Sequence, residues 1–318
     1  ETAKRLWATY VLFTVAVMVM YLAIPGPSLY DAIAHGFTTA STGGFSPYPG
    51  SIGHFDSVVL EIGVVVCMVI GGANFALHWR ALRGDGGSYV RDPEFRIYVL
   101  MLAGCAAVVI GLLWIDGGIP LGTAVRGAIF NVIALGTSTG YGVATGSGSP
   151  GDYVTWLPAA QMVLLFLMIV GASSGSTSGG IKVMRLQVLV ALSIRSIRRS
   201  QRPRAVIPVK HGDHSVAEDI VRRMAGFFVV YAVLVMLGIV LLSELSGDLT
   251  ASVGAIISTL GNMGPALGAA GPTGNFTEAF TEPGRSLLVV YMLIGRLEIC
   301  PILLMFAAPL RALRDRPG

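Results

Sequence analysis

The 318-residue chain is 53% hydrophobic and only 13% charged, with a mean hydropathy of +0.71 and a formal net charge of +4. That balance excludes a water-soluble globular domain and predicts an all-α polytopic membrane protein whose core is built against lipid. Cys67, Cys105 and Cys300 lie far apart in apolar stretches, so no zinc spacing or disulfide framework arises and the thiols read as small buried residues.

Charge-free apolar windows able to cross roughly 30 Å of hydrocarbon lie near residues 7–24, 97–115, 153–170 and 225–243. The first has no cleavage-site pattern and reads as a span rather than a signal peptide. Two further windows are lightly charged: 57–79 with Glu61, and 286–310 with Arg296 and Glu298. Basic residues cluster on one side of this map, at Lys4 and Arg5, at Arg80, Arg83, Arg91 and Arg96, through 195–224, and at Arg311, Arg314 and Arg316. Only Arg126 and Arg285 fall on the other side, so the positive-inside rule makes the crowded side cytoplasmic, with both ends of this chain. Asp31, Asp56, Asp116, Asp152, Glu244, Asp248, Glu278 and Glu282 occupy the outer side, and are expected to form an acidic mouth that attracts cations.

Each pair of spans is joined on the outer side by a stretch too long for a turn and too polar for a span, beginning at Asp31, Leu121 and Asp248. Each reads as a half-length helix followed by a glycine-containing break. Aligned on the break, the three are Thr42-Gly43-Gly44-Phe45, Ser138-Thr139-Gly140-Tyr141 and Asn262-Met263-Gly264-Pro265. Helical runs of about 11 to 14 residues reach only half way through a bilayer, which predicts re-entrant pore helices. Irregular backbone is tolerated at that depth only when buried in protein or lining water. Glycine there allows backbone angles that turn carbonyls inward, and each helix directs the negative end of its dipole at the break, an arrangement suited to a cation.

The span that starts near Tyr153 is interrupted after Val170 by Gly171-Ala172-Ser173-Ser174-Gly175-Ser176-Thr177-Ser178-Gly179-Gly180, and Lys182 follows at once. By position it unwinds about half way across, beneath a filter, where it could plug the inner half of a pore. Lys182 and Arg296 inside membrane segments need water or a partner, and Glu298 is the counter-ion expected for Arg296. Two strings read differently. Gly171 to Gly175 satisfies G-x-S-x-G, so an intramembrane serine hydrolase is the alternative from another class, but no histidine is placed at that depth and the strand-turn-helix context is absent. Gly146 to Gly151 satisfies G-x-G-x-x-G without a preceding strand and reads as an outer loop.

The stretches "ETAKRLW", "STGGFS", "RDPEFR", "GSTSGGIKVMR", "NMGPALG" and "GRLE", in this order, resemble the TrkH/TrkG/KtrB family of bacterial potassium uptake proteins, closest to TrkH, over essentially the whole chain. The resemblance implies tandem repeats of span, pore helix, filter and span: residues 1–80 as the second repeat, 97–194 as the third with its second span broken at 171–180, and 225–310 as the fourth, with 195–224 as a basic cytoplasmic loop. It also implies Gly44, Gly140 and Gly264 as central filter glycines, potassium as the transported ion with no other cofactor, 171–180 as an intramembrane gate and Arg296 as a cationic barrier. The partners it implies are a homodimeric mate and a cytosolic nucleotide-binding regulatory subunit of the TrkA/KtrA type, in the plasma membrane. Sodium-coupled or proton-coupled secondary transport is the rival mechanism. The family's first repeat has no counterpart here, so the expectation is that about 150 residues precede Glu1 in the gene and that these 318 residues alone do not conduct selectively.

Overall fold

The computed structural model describes residues 2–202, 207–212 and 214–297. In chain order the helices are α1 (Thr2–Ala23), α2 (Leu29–Ala40), α3 (Val58–Gly71), α4 (Phe75–Leu82), α5 (Ser88–Arg91), α6 (Pro93–Gly111), α7 (Leu121–Gly136), α8 (Pro158–Val170), α9 (Val183–Gln201), α10 (Glu218–Ser246), α11 (Leu249–Gly261), α12 (Phe276–Ala279) and α13 (Glu282–Arg296). A two-stranded antiparallel hairpin, β1 (Lys210–His211) with β2 (His214–Ser215), sits between α9 and α10. The helices long and apolar enough to cross a membrane, among the described residues, are Ala3–Ala23, Pro93–Asp116 and Glu218–Ser246. α1 and α10 leave Leu12, Val15, Val19, Val229, Val233 and Val240 exposed, as expected where the solvent is lipid.

Three half-length helices, α2, α7 and α11, stand where pore helices are expected, with 12, 16 and 13 residues. Their starts are capped differently. Ser28 and Asp31 form a reciprocal capping box on α2, and Asp248 caps α11 through Ala251 N at 3.1 Å. Each core also borrows from the following stretch of chain. Val17, Tyr21, Leu60 and Met68 pack with Phe130 and Tyr141, while Tyr98, Leu102 and Leu164 pack with Met263 and Leu267. The repeats therefore lean on one another in sequence order instead of standing as separate bundles.

Two expectations are corrected. The window 57–79 is not one straight span: α3 and α4 meet at a bend of 101°. Gly71, Gly72 and Ala73 end α3 there, Asn74 caps α4 through Ala76 N, and the backbone freed at the break bonds to the 171–180 loop instead of to its own helix. The acidic mouth is largely spent on structure. Asp31 and Asp248 cap helices, Asp152 is buried within its own turn, Glu282 pairs with Arg285, and Asp56 and Glu61 both pair with Arg126. Asp116, Glu244 and Glu278 are the members that stay exposed without such a bond among the described residues.

Arg126 on α7 forms a two-pronged bond to Glu61 on α3, 2.8 Å on each oxygen, and reaches Asp56 at 3.1 Å. Glu61 is 4% exposed, so removing its partner strands a buried carboxylate. Arg126→Gln should lower unfolding stability by about 2 kcal/mol, discounted because the arginine itself is partly exposed. Thermal unfolding in detergent checks this, with Arg126→Gln/Glu61→Gln expected to recover part of the loss.

Candidate functional site

The chain after each half-length helix takes the same backbone path. Thr42, Ser138 and Asn262 all adopt a left-handed conformation, with φ of 50°, 52° and 53°, and two residues later Gly44, Gly140 and Gly264 have φ of 66°, 79° and 103°. The residue between them bonds back to the preceding helix in every case: Gly43 N to Thr38 O at 2.7 Å, Thr139 N to Ala134 O at 2.9 Å, and Met263 N to Ser258 O at 3.0 Å. Gly44 and Gly140 also donate to Thr38 O and Ala134 O. The N–H groups of these residues are thereby engaged by the ends of the preceding helices. Left-handed angles at a threonine, a serine and an asparagine are uncommon and costly, and their recurrence at one register marks a shared constraint.

The loops also touch. A Cβ built on Gly44 would lie 1.9 Å from Thr139 O, and one built on Gly140 would lie 1.8 Å from Met263 O. Each carbonyl is thus seated against the glycine of the preceding loop, and only a residue without a side chain fits. A Cβ on Gly264 meets nothing within 4 Å, so among the described residues the contact sequence has no further member. Tyr141 does not present its side chain to this space: its hydroxyl is bonded to Thr38 Oγ1 at 2.6 Å and Thr39 Oγ1 at 2.9 Å, and the ring is buried. Tyr153 does the like for the next loop, donating to Ala266 O at 3.0 Å.

Residues 171–180 form a loop with a pinched neck. Ile181 N, Lys182 N and Val183 N donate to Ile169 O, Val170 O and Ala172 O at 3.1, 2.8 and 3.0 Å. The two sides close because Gly171 and Gly180 lack side chains: a Cβ on Gly180 would lie 3.0 Å from Gly171 Cα. The tip lies against all three breaks. Gly179 N donates to Ser138 Oγ at 2.6 Å, Thr177 Oγ1 donates to Ala40 O at 3.2 Å, and a Cβ on Gly179 would fall 1.8 Å from Gly261 O. Ser176 bridges Ser173 O and Ser178 Oγ within the loop.

Lys182 donates to Ser178 O and Oγ, and Arg296 Nη1 donates to Thr177 O at 3.3 Å. Glu298 and the remainder of the 286–310 window lie outside the described residues, so the expected pair with Arg296 does too. Beneath the loop is a cavity of about 380 Å³, lined by Ser176, Thr177, Lys182, Arg185, Asn262 and Arg296 among others. Asn262 braces that side, its Nδ2 donating to Met292 O at 3.2 Å.

Glu94 is a residue that sequence reasoning did not single out. Its Oε1 accepts from Ser174 N at 2.6 Å and from Met184 N at 3.1 Å, holding the loop on both flanks. Asp92-Pro93-Glu94 is also an ordinary helix start, with Asp92 capping Phe95 N, so nothing local distinguishes Glu94 from a first-turn acid. No histidine hydrogen-bonds to Ser173 or Ser174 among the described residues, which leaves the G-x-S-x-G string without a base. No group of three or more His, Cys, Asp or Glu side chains able to hold a metal occurs among the described residues. Backbone and hydroxyl oxygens are what the converging loops offer a cation.

The fold is that of an all-α membrane protein in which three half-length helices end on converging loops. The model of the TrkH family, a cation transport protein family, matches residues 1–313. The Trk system potassium uptake protein TrkH of Halomonas elongata is 36% identical over 309 residues, covering 96% of this chain and 61% of that protein. The protein of that name from Escherichia coli K12 is 32% identical over 308 residues, covering 96% and 62%. The crystal structure of the potassium transporter TrkH from Vibrio parahaemolyticus superposes with a TM-score of 0.87 at 31% identity, covering 96% of this chain and 64% of that one. This chain belongs to the TrkH family, and it spans less than two thirds of the length of these relatives.

Proposed function

We propose that the chain forms most of the wall of a potassium-conducting pore in the plasma membrane, with Thr42 to Gly44, Ser138 to Tyr141 and Asn262 to Gly264 as its filter. The observation that carries this is the threefold recurrence of left-handed backbone at one register, with neighbouring loops in contact. Carbonyl oxygens packed that closely replace a cation's water shell, and the C-terminal ends of α2, α7 and α11 add favourable dipoles. A contributor beyond Gly264 closes the ring, supplied by further chain or by a partner. The relatives' name, potassium uptake protein, agrees with the choice of ion. Flux from liposomes holding the full gene product, potassium against sodium, tests it: equal rates for the two ions would remove the selectivity claim.

The loop from Gly171 to Gly180 is the gate in this reading, with Lys182 and Arg296 as charges beside it. Arg296→Ala should raise single-channel conductance severalfold, because it removes a positive charge from the cavity beneath the loop that a passing cation would meet. Unchanged conductance places Arg296 off the ion path. The inner face carries the segment 195–224, tied at its ends by Arg195 to Glu218 at 2.7 Å. Both ends of the chain lie in the cytoplasm on this reading, where the basic segment meets a nucleotide-binding regulatory subunit of the TrkA/KtrA type, and the protein works as a homodimer.

A further inference from the structure

A second cavity, of about 310 Å³, lies at the start of α6 and shares no lining residue with the one beneath the loop. Its walls come from stretches far apart in sequence: Arg80 of α4, Ser88 and Arg91 of α5, Arg96 of α6, and His211 and His214 of the hairpin. The hairpin is seated closely, since a Cβ on Gly212 would lie 3.0 Å from Pro93 Cγ. Among the described residues, three arginines there, Arg80, Arg91 and Arg96, face two carboxylates, Asp85 and Asp92. Arg80 and Arg91 share one carboxylate, Asp85, and the Arg96 side chain has no hydrogen-bond or ion-pair partner among the described residues. Asp92 also lines the cavity, but its Oδ1 is engaged in capping Phe95 N at 2.7 Å. Two further polar atoms of lining residues are buried without a hydrogen-bond partner among the described residues: Ser88 Oγ, on a residue 1% exposed, and His211 Nδ1. Buried polar groups are nearly always satisfied, so these two point to a ligand.

We propose that this cavity binds a phosphoryl group, carried by an anionic phospholipid of the inner leaflet or by soluble phosphate. Forked guanidiniums, imidazoles and a hydroxyl suit its charge and its several acceptor oxygens. The location favours the lipid. Pro93 begins a membrane-crossing helix, so Arg96, one turn in, stands near the depth of the headgroups, and α4, bent away from α3, carries Arg80 along the same level. That depth rests on the orientation proposed above; the set of donors does not. The site also adjoins the loop's holding group. Glu94 lies between Asp92 and Arg96, so a ligand that draws Arg96 and the hairpin together tightens the turn that positions its carboxylate against Ser174 and Met184.

The test uses the purified full gene product and does not read ion flux, so its outcome is separable from that of the pore and gate readings. Retention of phosphatidylglycerol is followed by native mass spectrometry after reconstitution in phosphatidylcholine discs with and without that lipid, and thermal unfolding is followed against inorganic phosphate. Arg96→Gln/His214→Gln should weaken binding about tenfold or more, as loss of a charge-assisted bond does, and Ser88→Ala severalfold. Arg83→Gln should bind as the parent does, since Arg83 stacks on Trp79 and does not line the cavity. Selective loss of phosphatidylglycerol retention assigns the lipid, and a phosphate-dependent shift with no lipid retention assigns the soluble anion. Ser88→Ala decides alone should the double variant not fold. Equal retention by all four proteins with no response to phosphate overturns the proposal, and so does a loss that Arg83→Gln shares.

Discussion

Gly140→Val should abolish potassium-selective uptake while the protein still accumulates in the membrane. Two effects act together at this residue. Its φ of 79° is a conformation that a β-branched side chain adopts only with strain. A Cβ would also sit 1.8 Å from Met263 O and 2.7 Å from Pro265 Cδ, a backbone oxygen and a ring carbon that cannot swing aside. Relief requires either turning the Gly140 peptide or pushing the 262–265 loop away, and both displace carbonyls from the positions at which they would meet an ion. Gly44→Val should behave alike, because its Cβ would lie 1.9 Å from Thr139 O. The α7 core that holds the loop, with Ala128, Phe130 and Val132 buried, is untouched, so expression and unfolding temperature should change far less than uptake. Growth of potassium-uptake-deficient cells on low potassium, with immunoblots of membranes, reads both quantities. Uptake equal to the parent's in either variant would take these loops out of the ion path.

Deleting Ser173 to Gly179 and leaving Gly171 and Gly180 of the neck should raise basal flux at least tenfold. The tip is wedged against Ser138 Oγ, Ala40 O and Gly261 O, at each of the three breaks, so on the proposed path a cation leaving the loops inward would have to pass it. What holds the tip is a small set of hydrogen bonds, together with Glu94 on the flanks and Arg296 on Thr177 O. Most are single bonds worth about 1 kcal/mol net each. Glu94→Gln should give the same change in smaller measure, because a neutral amide oxygen accepts both bonds more weakly than a carboxylate does. Patch recording or liposome flux checks the deletion. If flux vanished in a protein that still bound potassium, the loop would be a wall of the path and not its gate.

Much of this is legible from residues alone because it depends on local chemistry. Composition declares the lipid solvent, and runs of apolar residues locate α1, α6 and α10. Half-length helices followed by glycine breaks locate α2, α7 and α11. The register of the three breaks, with Thr42, Ser138 and Asn262 aligned, follows from the position of one glycine in each, because only that residue tolerates the backbone required two places on. The serine-glycine run from Gly171 is equally plain, since no lipid-facing helix is made of such residues.

Other features depend on which groups meet, and no window of sequence contains that. The acidic residues of the outer side look like a mouth until Asp56 and Glu61 are found on Arg126 and Asp31 on Ser28. The 57–79 window reads as one span because hydropathy is a sum over side chains, whereas the bend after Gly71 exists because backbone groups there bond to Gly175 and Ser173 of a loop about a hundred residues away. Tyr141 looks like a filter residue, and packing turns its hydroxyl onto Thr38 and Thr39. Glu94 looks like a helix-starting acid, and only tertiary proximity gives it two amides to hold. The sequence by itself determined the solvent, the helices and the breaks, since these follow from transfer free energies and from backbone freedom residue by residue. The tertiary structure alone decided which carbonyl faces which glycine and which acid grips the loop, since a hydrogen bond between distant segments is fixed by the geometry of the whole chain.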